Sequence, residues 1–194
     1  MSWLLVVVVA LIGAGTPGAS GAESAHGAGI VTAVSGAVTA TRLAATRRPV
    51  KVGDALYWGD VVETPKDGFA RLVLEGKTTV TVKELSRLKL QKETRVEGLR
   101  YTLELAWGKL QVSVARLLMR PGEDVEVRTR NAVASVRGTD FIVERRQWEE
   151  TLVTTLSGVV EVSSRLSGTG NVELIRASET FRVRGTQDPV RLQP

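Results

Sequence analysis

The sequence predicts an all-β fold: short stacked strands with glycine turns and very little helix, arranged as a β-solenoid-like coil or a two-sheet sandwich. Three observations carry this reading. From Ile30 onward the apolar residues recur with a period of two rather than 3.6. Turn-forming strings punctuate the alternating segments, among them Lys66-Asp67-Gly68, Glu75-Gly76, Trp107-Gly108, Pro121-Gly122, Ser157-Gly158 and Gly168-Thr169-Gly170. Helical material is scarce.

The elements follow in order. Ala70, Leu72 and Leu74 alternate with Arg71, Val73 and Glu75, and beyond Gly76-Lys77 the residues Thr78, Val80 and Val82 alternate with Thr79, Thr81 and Lys83. Successive strand side chains point to opposite faces, so each segment offers one apolar face and one wet face. Leu110 to Val114, Val125 to Arg128 and Phe181 to Arg184 repeat the pattern. Lys83 to Ser86 and Ala115 to Met119 each suit a single helical turn, the second ended by Pro121. Trp107, inside an apolar pattern, is expected in the core. Leu105 to Val112 echoes Leu156 to Val162, each with a glycine ahead of an alternating strand, but the spacing is too irregular for a strict repeat array.

Four segments divide the chain. Met1 to Ala22 carries no charged side chain and holds a ten-residue apolar run, Trp3 to Ile12, followed by small residues. That run is too short to span a bilayer as a helix and fits a secretory signal cleaved before Glu23. No lysine or arginine precedes the run, a departure from the signal pattern, and the competing reading is a retained membrane anchor. Residues 23–29 read as a flexible linker, 30–185 as one β domain and 186–194 as a frayed tail. Cleavage would leave no stable membrane span and place the protein in the periplasm or outside the cell.

Composition restricts the chemistry. The 194 residues include no cysteine and one histidine, His26, which lies in the linker. Thiol nucleophiles, disulfides, thiolate metal sites and histidine pairs are thereby excluded. No nucleophile elbow and no phosphate-cradling glycine loop occurs. No enzyme activity, cofactor or metal is expected. The net charge of +5 includes a basic run, Arg42, Arg47, Arg48 and Lys51. Nucleic acid is not the expected partner, because export would separate the two; an acidic protein surface or an anionic or carbohydrate polymer fits better. Trp58 and Trp148 lie in polar or turn contexts, where exposed rings serve recognition. With Arg145 and Arg146 they form the candidate partner or ligand contacts. The competing reading places both rings over a sheet edge.

One set of motifs resembles the FecR domain, the periplasmic sensor module of bacterial iron-uptake and related signalling systems. Its early part is Gly36-Ala37-Val38, Val52-Gly53-Asp54, Gly59-Asp60-Val61-Val62-Glu63-Thr64 and Gly68 to Gly76. Its late part runs from Val127 through Val136-Arg137-Gly138-Thr139-Asp140-Phe141 to Val143, then Val153 to Val162 around Gly158. The resemblance implies a stacked all-β domain with a sensing or protein-interaction role in the cell envelope. Gly138 is expected at a bend, Phe141 in the core and Arg137 against neighbouring carbonyls. Only two residues precede the apolar run, so the cytoplasmic helical domain of anti-sigma relatives is not expected ahead of it, and direct sigma-factor control is not expected either. A carbohydrate- or peptidoglycan-binding module using Trp58 and Trp148 is the alternative.

Overall fold

Backbone pairing follows the alternation closely. The computed structural model describes residues 27–42 and 45–192; the segment 1–22 expected to be a signal and His26 lie outside them. In chain order the strands are β1 (Gly27–Ser35), β2 (Thr39–Arg42), β3 (Arg48–Pro49), β4 (Ala55–Tyr57), β5 (Asp60–Thr64), β6 (Phe69–Leu74), β7 (Thr78–Val82), β8 (Ser86–Arg95) and β9 (Gly98–Val114). There follow β10 (Asp124–Arg128), β11 (Ala132–Val136), β12 (Asp140–Arg146), β13 (Glu150–Ser157), β14 (Val159–Ser164), β15 (Val172–Arg176), β16 (Thr180–Arg184) and β17 (Val190–Leu192). Among the described residues the one helical element is a 3₁₀ turn, Arg116–Leu118, inside the segment expected to make one. No turn of helix forms over Lys83 to Ser86.

The strands form two ladders. The first sheet runs β4-β1-β6-β7-β9-β12-β13-β16-β17 and the second β3-β2-β5-β8-β9-β10-β11-β14-β15. Every pairing is antiparallel except β9 with β10. Both sheets add strands in the same direction along the chain, which passes back and forth between them hairpin by hairpin. The result has the two faces of a sandwich and the progressive winding of a solenoid.

Inward residues of both sheets meet in one core. Leu72, Val80, Leu110, Val112, Phe141 and Val153 come from the first sheet, and Leu88, Leu90, Leu103, Leu105, Val125 and Val160 from the second. Each such side chain contributes about 1.5–3 kcal/mol on burial. With no disulfide in the chain, this apolar burial and the ladders hold the fold.

Passage between sheets occurs at short corners. Strand β9 is a single seventeen-residue strand that belongs to the second sheet up to Trp107 and to the first from Gly108. Trp107-Gly108 is therefore a crossing within a strand and not the turn its sequence suggests. The bend turns Trp107 outward, and it is 48% exposed instead of buried. Gly108 has φ +97°, and a Cβ there would sit 2.1 Å from Ser86 Oγ and 2.5 Å from Ser86 Cα. Gly158 marks the crossing from β13 to β14, so the echo between the two segments reflects a shared corner.

Two boundaries move. The linker expected over 23–29 gives Gly27, Ala28 and Gly29 to β1, and Ala28 is buried. The tail expected to fray carries β17, which pairs with β16. Pro49 lies in β3 at an edge of the second sheet, where a missing N–H costs no ladder bond.

Gly108→Ala is expected to lower unfolding free energy by at least about 3 kcal/mol, since the left-handed backbone and the clash with Ser86 add. Gly53→Ala has a similar φ of +91° with nothing within 4 Å, and should cost about 1–2 kcal/mol. Urea denaturation compares them; equal losses would remove the clash from the account.

Candidate functional site

The loops gather at the two ends of the strands, and each end carries a distinct surface. At one end lies the β12–β13 hairpin. Its loop, Gln147-Trp148-Glu149, turns back through positive φ at Trp148 (+62°) and Glu149 (+55°). Trp148 is 88% exposed at the tip. The loop is anchored from beneath by buried Asn131, whose Nδ2 donates to the carbonyls of Glu149 (2.7 Å) and Val183 (3.0 Å). Asn131 Oδ1 accepts from Thr151 Oγ1 at 2.7 Å, so both ends of the amide are used. The β10–β11 loop thus ties the backbone beside Trp148 to strands β13 and β16.

The other expected contacts separate. Arg146 is half-exposed on the same hairpin and pairs with Glu144 at 2.6 Å. Glu144 also pairs with Lys109 at 3.4 Å, so the three side chains carry one net positive charge. Arg145 spans the β9 corner and donates to the Ala106 carbonyl at 2.7 Å. Trp58 lies at the opposite end, in the β4–β5 corner, where it packs on the core margin and stacks on Tyr101 at 5.5 Å between centroids. The two exposed rings expected for a carbohydrate platform are not both present, because Trp58 is spent on packing. The basic run is largely neutralised: Arg42 and Arg48 pair with Asp60, and Arg47 with Glu63 at 2.5 Å.

That opposite end is built around a buried polar group. Glu123 accepts from Lys77 Nζ at 2.6 Å, the Arg120 N–H at 2.8 Å and the Tyr101 hydroxyl at 3.2 Å. Burial works to raise the Glu123 pKa, but the Arg120 N–H and Lys77 outweigh it and hold the carboxyl below its ordinary 4.5. Burial, reinforced by the negative charge of Glu123, pushes the Tyr101 hydroxyl well above its ordinary 10. Glu123 is thus an anion whose charge is already matched.

Above it opens a cleft of about 410 Å³ whose lining includes Arg116, Arg120 and Arg137. None of these three guanidiniums has an ion pair or side-chain hydrogen bond among the described residues. Arg137 was expected to bond carbonyls and instead stands exposed in the corner before β12. Gly138 beside it lies against Arg116, where a Cβ would come within 2.3 Å. Sequence reasoning missed the convergence, because Arg116 and Arg137 are brought together only by the β9–β10 and β11–β12 connections. No three His, Cys, Asp or Glu side chains converge among the described residues in a way that would hold a metal ion.

Across the outer face of the second sheet, Arg95 and Arg100 grip Asp124, while Arg100 and Arg128 grip Glu126. These pairs satisfy two buried carboxylates beside the cleft and leave its three free arginines as the net charge.

Comparison with known proteins now adds to the geometry. The family described as "FecR protein" matches residues 60–161. Two crystal structures of a candidate anti-sigma factor from Parabacteroides distasonis ATCC 8503, at 1.65 and 2.50 Å, superpose with TM-scores of 0.56 and 0.55. Each is 21% identical over 68% of this chain, and this chain spans 58% of the length of each. At that identity the likeness speaks for the fold. No curated protein sequence matches.

Lys77→Met is expected to cost about 3 kcal/mol by leaving Glu123 buried and unpaired, with partial recovery in Lys77→Met/Glu123→Gln. Since the folded pKa of Glu123 is depressed, its contribution is present above the ordinary carboxylate value and lost as pH falls through the lower folded one. Tyr101 contributes below pH 10, and that contribution fades as pH rises further. Thermal unfolding across pH checks both arms, and Lys77→Met should blunt the acid arm. Asn131→Ala, which strands two carbonyls, is expected to cost about 2 kcal/mol in the same assay.

Proposed function

The chain belongs to the FecR family, and from that membership we propose that it is an exported, non-catalytic sensing or regulatory module of the bacterial cell envelope that works by contacting a protein partner. The observation that carries the reading is Trp148, a large ring almost wholly in solvent on a hairpin whose next residue, Glu149, is tied down by a buried amide. Exposed aromatics that bury on association dominate many interfaces, and a rigid one loses little entropy on binding. Arg146 and Glu144 beside it supply a polar rim. The absence of cysteine from the sequence and the position of its one histidine in the linker favour binding over covalent chemistry.

The test is affinity capture from envelope extract with tagged full-length protein. A specific protein recovered by the wild type should be lost with Trp148→Ala at an unchanged melting temperature. Trp58→Ala should lower the melting temperature by several degrees, because it removes a packed ring. Capture that survives Trp148→Ala, or recovery of no specific protein by the wild type, would overturn this reading.

A further inference from the structure

The arginine cleft at the Tyr101 end borders an apolar surface that nothing among the described residues covers. Its 3₁₀ turn presents Leu117 at 98% exposure and Leu118 at 56%, flanked in sequence by Arg116 and Arg120. Met119, between Leu118 and Arg120, turns inward against the core and roots the segment. Alongside projects the β8–β9 turn, whose Val96 is fully exposed. The two loops are locked together: a Cβ on Gly98 would lie 2.3 Å from the Gly122 carbonyl oxygen, and one on Gly122 1.8 Å from that of Glu97. Three apolar tips therefore stand on a stiff base, ringed by Arg116, Arg120 and Arg137.

From this geometry we infer that the 115–122 loop and the β8–β9 turn dock the domain on an anionic phospholipid surface. Leu117, Leu118 and Val96 enter the headgroup layer, and the three free arginines receive lipid phosphates. The shape favours a bilayer over a protein. The apolar side chains protrude from a convex turn and do not line a groove, as suits insertion into a deformable interface. The cleft beside them offers unpaired guanidiniums, and each basic residue near an anionic leaflet adds to binding. Glu123 does not oppose this, being matched by Lys77, and the exposed Glu97 has Arg95 at 3.9 Å. The surface is separate from the Trp148 contact. Strand β12 runs from the Arg137–Gly138 corner to the Trp148 hairpin, a span of about 20 Å over its seven residues. Docked in this way, the domain would hold Trp148 away from the membrane.

The sequence holds no cysteine, so Leu117→Cys in the full chain takes an environment-sensitive fluorophore at one position. With phosphatidylglycerol vesicles its emission should shift to the blue, and with phosphatidylcholine vesicles it should not. The same dye at Trp148→Cys should report water in both cases. In the labelled protein, Arg116→Gln/Arg120→Gln/Arg137→Gln should raise the lipid concentration for half-maximal shift at least about tenfold. Added salt should act in the same direction. These positions are exposed, so melting temperatures should hold. No shift at position 117, an equal shift on both lipids, or an equal shift at position 148 would overturn the proposal. So would stabilisation by inorganic phosphate without any vesicle-induced shift, which would assign the cleft to a soluble anion.

Discussion

Two sheets that share one core must exchange the chain repeatedly, and the space available at each exchange constrains everything else. The sheets stack about 10 Å apart, so a crossing segment must turn sharply and return at once to extended pairing. Gly108 shows the constraint most clearly. There the strand does not end, and the backbone of β9 passes so close to Ser86 that no side chain fits. Ser86 Oγ in turn accepts from the Lys109 N–H at 2.9 Å, closing the corner with a polar bond where the ladder changes sheets. Gly36, Gly53, Gly59, Gly68, Gly138 and Gly158 stand at other crossings. The glycines that make the family motif recognisable are thus the corners of the winding.

This explains which parts of the fold could be read from the sequence. Alternation identified the inward faces of β6, β7, β10 and β16 because burial on one side of a pleated strand leaves a period of two. The solenoid and sandwich alternatives could not be separated, since local pattern is the same in both; only the pairing order shows that the fold has features of each. Trp107 was misplaced because apolar neighbours signal burial unless the strand bends, and the bend depends on a contact with Ser86, more than twenty residues away. Trp148 was found by its polar flanks, whereas Asn131, which anchors it, gave no local cue. The arginine cleft was illegible for a similar reason. Its members come from two connections, and what sets them apart from most other arginines is that no carboxylate or carbonyl among the described residues engages their guanidiniums, a property of three-dimensional neighbours.

Charge is distributed by the same logic. Carboxylates that the sheet buries, Asp60, Asp124 and Glu126, each carry more than one arginine contact, which meets the cost of removing them from water. A positive excess then remains where no buried carboxylate demands it, on connections at the strand ends. The net charge of the chain is therefore a poor guide to its surface; the paired majority serves cohesion, and a minority is free for recognition.

The shared direction in which both sheets grow has a mechanical consequence. Among the described residues no strand closes either sheet into a barrel, and β17 and β15 border one flank while β3 and β4 border the other. A load applied between the chain ends would peel β17 from β16 at one flank, whereas at the other end it would fall on β1, which is held on both sides by β4 and β6. The C-terminal hairpins would open a few ladder bonds at a time, like a zipper, while β1 would resist as a clamp sheared as a whole. Resistance to extension should accordingly differ between the two ends, low and graded at the β17 flank and higher at β1.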